Sequence, residues 1–175
     1  MRLIHSILYY DQHLFAWFLH RKHYARLVAL SRWLSKTGDG IWYVVLGLAL
    51  FRLEPTYGPL FLATGAAAFA LERPLYFLLK NSLKRGRPQT RIPDFRSHIV
   101  PSDEFSFPSG HTSAAFLAAL LCAYFYPPTA PWVFLWAPAV GVSRIFLGVH
   151  YPADVAIGAL MGCACALFGI WAVAL

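Results

Sequence analysis

The chain has 175 residues, of which 58% are hydrophobic and 13% are charged, and its formal net charge at pH 7 is +7. An ordinary soluble domain is about 45 to 50% apolar and about 25% charged, so this composition excludes a soluble globular protein and indicates an integral membrane protein. The positive charge fits a lipid bilayer or an anionic substrate as partner, and it does not indicate nucleic acid.

The first 37 residues mix apolar and basic side chains, as in "HLFAWFLHRK" at positions 13–22. This pattern predicts one or two amphipathic helices that lie in the membrane interface, with a sixth membrane span as the alternative. The sequence "TGDG" at positions 37–40 predicts a turn that ends this region. Asp39 is assigned a structural role in that turn.

Five apolar segments follow, at residues 41–51, 57–79, 112–126, 131–149 and 153–175. Several are shorter than the roughly 20 residues of a full span, so we expect some of them to tilt or to extend into polar flanks. The predicted fold is all-α, a polytopic transmembrane helix bundle of about five to six spans. It forms a single domain that covers residues 1–175.

Three polar stretches interrupt the apolar sequence. They are "KNSLKRGRP" at 80–88, "PSGHTS" at 108–113 and "SRIFLGVHYPAD" at 143–154. If five spans alternate across the bilayer, all three stretches fall on the same face. Polar groups are costly in such apolar surroundings, so their convergence indicates a functional site.

The first stretch carries Lys80 and Arg87, which point the same way if the helix continues to Gly86. Together with Arg144 they would form a positive pocket suited to phosphate oxygens. The alternative is that these basic side chains only reach from a helix end to lipid headgroups.

In the second stretch, Ser109 fits a helix N-cap, which would place the amides of Gly110 and His111 at a helix N-terminus, where anions bind. A capped helix without a ligand is the alternative.

In the third stretch, Pro152 predicts that the last helix begins there, with His150 at its mouth and Asp154 one turn further in. The carboxylate could accept a hydrogen bond from one imidazole nitrogen and leave the other free as a nucleophile. A simple helix cap is the alternative.

Together these residues resemble the three-part signature of the type 2 phosphatidic acid phosphatase (PAP2) superfamily. The matching residues are Lys80, Arg87, Pro88, Pro108, Ser109, Gly110, His111, Ser143, Arg144, His150 and Asp154. The signature covers residues 80–154, with every motif position present at the expected spacing. The superfamily includes bacterial lipid phosphatases and undecaprenyl pyrophosphate phosphatases, and it shares its site with vanadium haloperoxidases and class A acid phosphatases.

The resemblance implies a metal-independent phosphohydrolase without a cofactor. It implies that His150 attacks phosphorus to form a phosphohistidine, that Asp154 orients His150, and that His111 protonates the leaving oxygen and then activates water. It also implies five residues that hold the phosphoryl oxygens: Lys80, Arg87, Ser109, Gly110 and Arg144.

Two further groups of polar residues have open interpretations. Glu72 and Arg73 lie within a predicted span and are either functional or an ion pair at the kink expected next to Pro74. Residues 89–107 are long enough to cover the pocket, and three side chains there could contact a headgroup: Arg91, Arg96 and His98. A solvated loop is the alternative.

We expect a multi-pass protein of the cytoplasmic membrane. The positive-inside rule places the basic site face in the cytoplasm, but bacterial members of the family commonly work on the extracytoplasmic face, and we adopt that assignment. No feature of the sequence indicates an oligomeric state.

The favoured function is hydrolysis of a membrane lipid phosphomonoester, of the phosphatidylglycerophosphate or phosphatidic acid type. An undecaprenyl pyrophosphate phosphatase is the alternative within the same chemistry. A non-catalytic lipid-binding membrane protein is the alternative of another class, and a haloperoxidase is disfavoured because its close relatives are soluble.

Overall fold

A computed structural model describes the backbone of residues 2–174 and the side chains of residues 9–174. The described chain is helical and contains no β-strand, which confirms the all-α prediction. Its α-helices are α1 (Arg2–Leu19), α2 (Tyr24–Thr37), α3 (Gly40–Leu53), α4 (Gly58–Leu83), α5 (Pro88–Arg91), α6 (Gly110–Phe125), α7 (Ala130–Phe146) and α8 (Pro152–Gly169).

Two helices are long and apolar enough to cross a membrane by length and composition. They are α4 and the helix Pro152–Ala174, in which a π-helical turn continues α8. Two of the other apolar helices, α3 and α6, are shorter. The count of five to six spans therefore stays a prediction.

The N-terminal region forms two helices, α1 and α2, within the range of one or two that the sequence predicts. Helix α1 packs against α7 and α8, and α2 packs against α7. Phe15 of α1 is fully buried in a cluster with Ile145 and Tyr151. Helices α1 and α2 are therefore part of the packed bundle. Whether they lie in the membrane interface or cross the bilayer stays a prediction.

Helix α4 ends before Gly86. It stops at Leu83, because Lys84 adopts a left-handed conformation with φ of 44° and the chain continues to Gly86, which pairs with Phe105 in an isolated antiparallel bridge. The condition that the helix continues to Gly86 is therefore not met. The two residues reach the same place from a helix and from the loop that follows it.

A sharp turn separates α7 from α8. Gly148 has φ of +74°, and a Cβ there would lie 2.5 Å from the Phe95 ring, so only glycine fits this turn. Helix α7 therefore ends at Phe146, three residues before the predicted limit of the apolar segment, and α8 begins at Pro152 as predicted. The turn directs His150 into the bundle.

Helices α6 and α8 pack closely against each other in the core. Added Cβ atoms at Gly158 and Gly162 of α8 would lie 2.6 and 2.1 Å from the carbonyl oxygens of Ser109 and Ser113. Such distances are shorter than any van der Waals contact, so small residues set the approach of these helices. This contact fixes the start of α6 beside the start of α8.

Candidate active site

The three polar stretches meet at one end of the bundle, as the sequence predicts. The Arg87 Nη1 atom donates to the carbonyl of Val149 at 2.7 Å, which joins the first stretch to the third. The backbone N–H of Ser109 donates to the carbonyl of Asp154 at 3.0 Å, which joins the second to the third.

His150 is buried in the turn between α7 and α8. Its Nδ1 donates to the carbonyl of Ser106 at 2.6 Å, and this hydrogen bond leaves the Nε2 lone pair free. Burial lowers the pKa of His150 to about 4, and the charges of Arg144 and Arg87 act in the same direction. The ring is therefore neutral at neutral pH, with one nitrogen available as a nucleophile.

Asp154 lies beside His150 but does not accept its proton in this structure. The distance from Nδ1 to Asp154 Oδ2 is 3.8 Å, which exceeds a hydrogen bond. The sequence prediction of that bond is therefore wrong: the Ser106 carbonyl accepts it, while Asp154 Oδ2 accepts the backbone N–H of Tyr151 at 2.8 Å. The carboxylate acts on the ring at close range, through its charge.

Arg85 and Asp11 complete the surroundings of Asp154, and sequence reasoning missed both. Arg85 donates to Asp154 Oδ1 at 2.7 Å and to Asp11 Oδ2 at 2.5 Å. Asp11 Oδ1 accepts the backbone N–H of Ala153 at 2.8 Å. The available signal was Asp11 itself, an acidic residue in an apolar and basic helix.

His111 occupies the first turn of α6, where the sequence places it. Its Nε2 donates to Asp39 Oδ1 at 2.9 Å, and Asp39 precedes α3 without a side-chain cap bond. The purely structural role predicted for Asp39 is therefore incomplete, because its carboxylate contacts a predicted catalytic histidine.

The basic residues Lys80 and Arg87 share an acidic partner that the sequence did not predict. Asp103 Oδ1 accepts from Lys80 Nζ at 2.7 Å and from Arg87 Nη2 at 2.5 Å, and its Oδ2 accepts the Tyr76 hydroxyl at 2.8 Å. Burial would raise the pKa of Asp103, but the hydrogen bonds and charges of these partners lower it to about 2. The ionised Asp103 carboxylate thus bridges Lys80 and Arg87.

The remaining predicted anion ligands lie close by. Arg144 is buried and donates through Nη1 to Ser35 of α2, while its Nε has no partner among the described residues. Ser109 precedes α6 without a side-chain cap bond, and its Oγ pairs with Thr112 Oγ1 at 2.8 Å. Gly110 packs on the Tyr76 ring, where a Cβ would lie 2.8 Å from the ring.

The three suggested headgroup contacts lie in the loop that follows the first polar stretch, and the Arg91 Nε atom is 2.6 Å from the position of a Cβ at Gly86. Arg91 and Arg96 are exposed and line an open depression formed by residues 89–96. The His98 ring pairs with the Tyr24 hydroxyl at 2.9 Å, and burial lowers its pKa. His98 therefore attaches the loop to α2.

Glu72 and Arg73 form the ion pair that the sequence offers as one alternative. Arg73 donates through Nε and Nη2 to the Glu72 carboxylate, with Nη2 at 2.6 Å from Oε1. The fully buried Glu72 also accepts the Ser113 hydroxyl at 2.6 Å. The pair thereby joins α4 to α6.

An apolar cavity of about 550 Å³ begins at the site and lies between α3, α4 and α6. Its walls include His111 and Gly110 at the site and Phe61 and Leu121 deeper in the bundle. An elongated apolar group could therefore lie in the bundle with its polar end beside His111.

Comparison with known proteins gives related sequences. The chain is 35% identical over 133 residues to "Bacitracin transport permease protein BcrC" of Bacillus licheniformis, across 75% of this chain and 65% of that protein. It therefore spans slightly less than two thirds of that relative. It is 34% identical over 137 residues to decaprenylphosphoryl-5-phosphoribose phosphatase of Mycobacterium tuberculosis, across 78% of this chain and 75% of that protein.

Solved structures share the fold. Aquifex aeolicus LpxE aligns with a TM-score of 0.80 and 27% identity, across 91% of this chain and 94% of that one. A transmembrane PAP2 type phosphatidylglycerolphosphate phosphatase of Bacillus subtilis aligns with a TM-score of 0.72 and 25% identity, across 94% and 84%. The family model of the PAP2 superfamily matches residues 56–174. The chain therefore belongs to the PAP2 superfamily of phosphatases, as its three motifs predict.

Proposed function

We propose that this protein is a metal-independent lipid phosphate phosphatase that works through a phosphohistidine. The observation that carries the proposal is the state of His150, a buried neutral imidazole whose Nδ1 is bonded to a carbonyl and whose Nε2 is free. A nucleophile of this kind requires no metal to activate it.

The reaction begins when His150 Nε2 attacks phosphorus in line. The new P–N bond forms as the bond to the lipid oxygen breaks, and protonated His111 gives its proton to that oxygen. Burial and the charge of Arg144 lower the pKa of His111 to about 4, and Asp39 opposes this shift. The anionic phosphate of a bound substrate would further favour the charged form before this transfer. His111 then takes a proton from water, the water oxygen attacks phosphorus, and the P–N bond breaks to release phosphate and restore His150.

The developing charge on the phosphoryl oxygens is stabilised by fixed cations and by a helix N-terminus. The residues with this role are Lys80, Arg87, Arg144, Ser109 and Gly110. Lys80 and Arg87 keep further N–H donors beyond those used on Asp103. Positive groups already held in place cost no reorganisation when the charge moves.

The substrate is a membrane lipid phosphomonoester of the phosphatidylglycerophosphate or phosphatidic acid type. Two observations support a lipid: the apolar cavity that begins at His111, and related proteins named for the dephosphorylation of phosphatidylglycerolphosphate and of a decaprenylphosphoryl sugar. An undecaprenyl pyrophosphate phosphatase is the second candidate, since the same cavity suits a prenyl chain.

The protein acts in the cytoplasmic membrane as a multi-pass enzyme, with its site on the extracytoplasmic face. A non-catalytic lipid-binding role is the competing function from another class. That role would not explain why His150 is buried with Nδ1 bonded to a carbonyl and Nε2 free.

The test is phosphate release by the purified protein in detergent micelles containing EDTA, with phosphatidylglycerophosphate, phosphatidic acid and undecaprenyl pyrophosphate as substrates. We expect turnover of at least one lipid, abolished in His150→Ala. The control is His20→Ala, because His20 is exposed and its ring forms a local hydrogen bond with the carbonyl of Ala16, one turn earlier in α1. Equal activity of His150→Ala and the unmodified protein, or no turnover of any lipid by the folded protein, would overturn the proposal.

A further inference from the structure

Arg73 is a cation in the wall of an otherwise largely apolar cavity. Its side chain is 43% exposed, and it lines the same cavity as His111 and Gly110. An ionisable group inside a membrane-spanning helix is costly, and such groups mark functional sites by default. The ion pair with Glu72 neutralises Arg73 but does not explain why its side chain is open to the cavity.

The ion pair with Glu72 holds the Arg73 guanidinium in place but uses only some of its N–H donors. A guanidinium has five N–H donors, and Arg73 uses one on Nε and one on Nη2 for Glu72. No other hydrogen bond of Arg73 is found among the described side chains. Because Glu72 is itself held by Ser113 of α6, the guanidinium is anchored with donors left for a ligand.

The Tyr76 ring lies close to both Arg73 and Lys80, and so places Arg73 near the site. The Arg73 guanidinium carbon lies 4.7 Å from the centre of the Tyr76 ring, and Lys80 Nζ lies 4.5 Å from the same centre. The two cations thus flank one ring and cannot be further apart than those two distances combined. Lys80 belongs to the set that holds the transferred phosphate under the proposed function.

We propose that Arg73 binds a second phosphate group of the substrate, on the lipid side of the bond that is cleaved. The inference rests on the proposed function, because it takes Lys80 to mark the first phosphate. Guanidinium groups suit phosphate oxygens, and a bound anion would use the donors that Glu72 leaves free. The preferred substrates are therefore lipids with two phosphates, either a pyrophosphate or a monophosphate attached through a phosphodiester.

The experiment compares lipids with identical diacylglycerol tails. Diacylglycerol pyrophosphate and phosphatidylglycerophosphate carry a second phosphate, and phosphatidic acid does not. Initial rates of phosphate release give kcat/KM for each lipid, and the readout is the ratio of each two-phosphate lipid to phosphatidic acid. The variant is Glu72→Gln with Arg73→Gln, since removing both charges avoids an unpaired buried carboxylate.

We expect the ratio for at least one two-phosphate lipid to fall about tenfold or more in the double variant. The lipid whose ratio falls further identifies the linkage that the subsite accepts. Arg52→Gln is the matched control, because Arg52 is exposed at the opposite end of α3, and it should leave both ratios unchanged.

Three outcomes would overturn the inference. Equal losses for all three lipids would make Arg73 a structural residue only. If the double variant does not fold, Arg73→Lys keeps a charge opposite Glu72 but removes the planar fork, and an unchanged ratio there would count equally against the subsite. Absence of phosphate release by the unmodified protein from these three lipids and from undecaprenyl pyrophosphate would instead overturn the proposed function, and the subsite with it.

Discussion

Arg85 holds Asp154 and Asp11 together, with guanidinium nitrogens 2.7 and 2.5 Å from the two carboxylates. All three side chains are largely withdrawn from water, and Asp154 is fully buried. These carboxylates raise the pKa of Arg85 against the opposing effect of burial. The first helix of the chain is thereby linked to the residue beside the predicted nucleophile.

We predict that Asp11→Asn lowers kcat roughly ten- to a hundredfold, because Arg85 loses one of the two carboxylates that fix it and Asp154 shifts relative to His150. The measurement is kcat and KM for the preferred lipid, with KM changed little. Asp94→Asn is the control, since Asp94 is an exposed aspartate with φ of 58° that asparagine tolerates. An unchanged kcat in Asp11→Asn would show that Arg85 needs no support from α1.

A second prediction concerns Asp39, which accepts a hydrogen bond from His111. Asp39→Asn removes the charge that favours protonated His111, so leaving-group protonation should weaken. We expect about a tenfold lower rate with a lipid phosphate and a smaller loss with p-nitrophenyl phosphate, whose leaving group needs no proton. Equal losses with both substrates would show that Asp39 acts elsewhere.

A third prediction concerns Asp103, whose carboxylate occupies Lys80 and Arg87. Asp103→Asn removes a negative charge from the place where phosphate is proposed to bind. Inorganic phosphate should therefore inhibit the variant more strongly, with an inhibition constant about tenfold lower. Glu104→Gln, an exposed neighbour, is the control. Weaker inhibition in Asp103→Asn would show that the carboxylate organises the cations and does not compete with the anion.

A fourth prediction concerns pH and stability. The pKa of His150 is lowered from 6.5 to about 4 in the folded protein, so between these values the unfolded ring binds a proton that the folded ring does not. The His150 contribution to stability is therefore present above pH 6.5 and decreases as the pH falls toward 4. The midpoint of thermal unfolding in detergent should fall over this range, and less steeply in His150→Gln. Equal slopes would contradict the burial of a neutral ring.

The last prediction concerns the contact of α6 with α8. Gly162→Ala would place a Cβ 2.1 Å from the Ser113 carbonyl oxygen, and relief of the overlap requires the helices to separate. We expect a loss of about 1–3 kcal/mol or more, measured by thermal unfolding. Gly40→Ala is the control, because nothing lies within 4 Å of a Cβ there. A stable Gly162→Ala protein would mean that the helices have room to move.

The basic residues of the site and Asp154 could be predicted from sequence, while the other carboxylates could not. Lys80, Arg87 and Arg144 stand out because basic residues at fixed spacing interrupt apolar sequence. Asp103 lies in a loop without periodicity, and Asp39 reads as an ordinary turn residue. Their roles depend on contacts between residues that are far apart in sequence, such as His111 and Asp39, which are 72 positions apart. No local pattern encodes such contacts.

The fold shows the same division. The apolar segments predict the helices well, because burial against other helices or lipid requires continuous apolar sequence. The end of α4 was missed because Lys84, which carries no turn signal, adopts the left-handed conformation. His150 was correctly placed at the mouth of α8, but its hydrogen-bond acceptor is a backbone carbonyl, and backbone groups leave no mark on the sequence.

The bond between Asp11 and Ala153 joins positions 142 residues apart. The helix that carries Asp11 is synthesised before the segment that carries Asp154 and Ala153. The charges around His150, the predicted nucleophile, can therefore be completed only after α8 has docked against α1. A chain in which α8 has not yet docked would therefore lack the complete arrangement around His150.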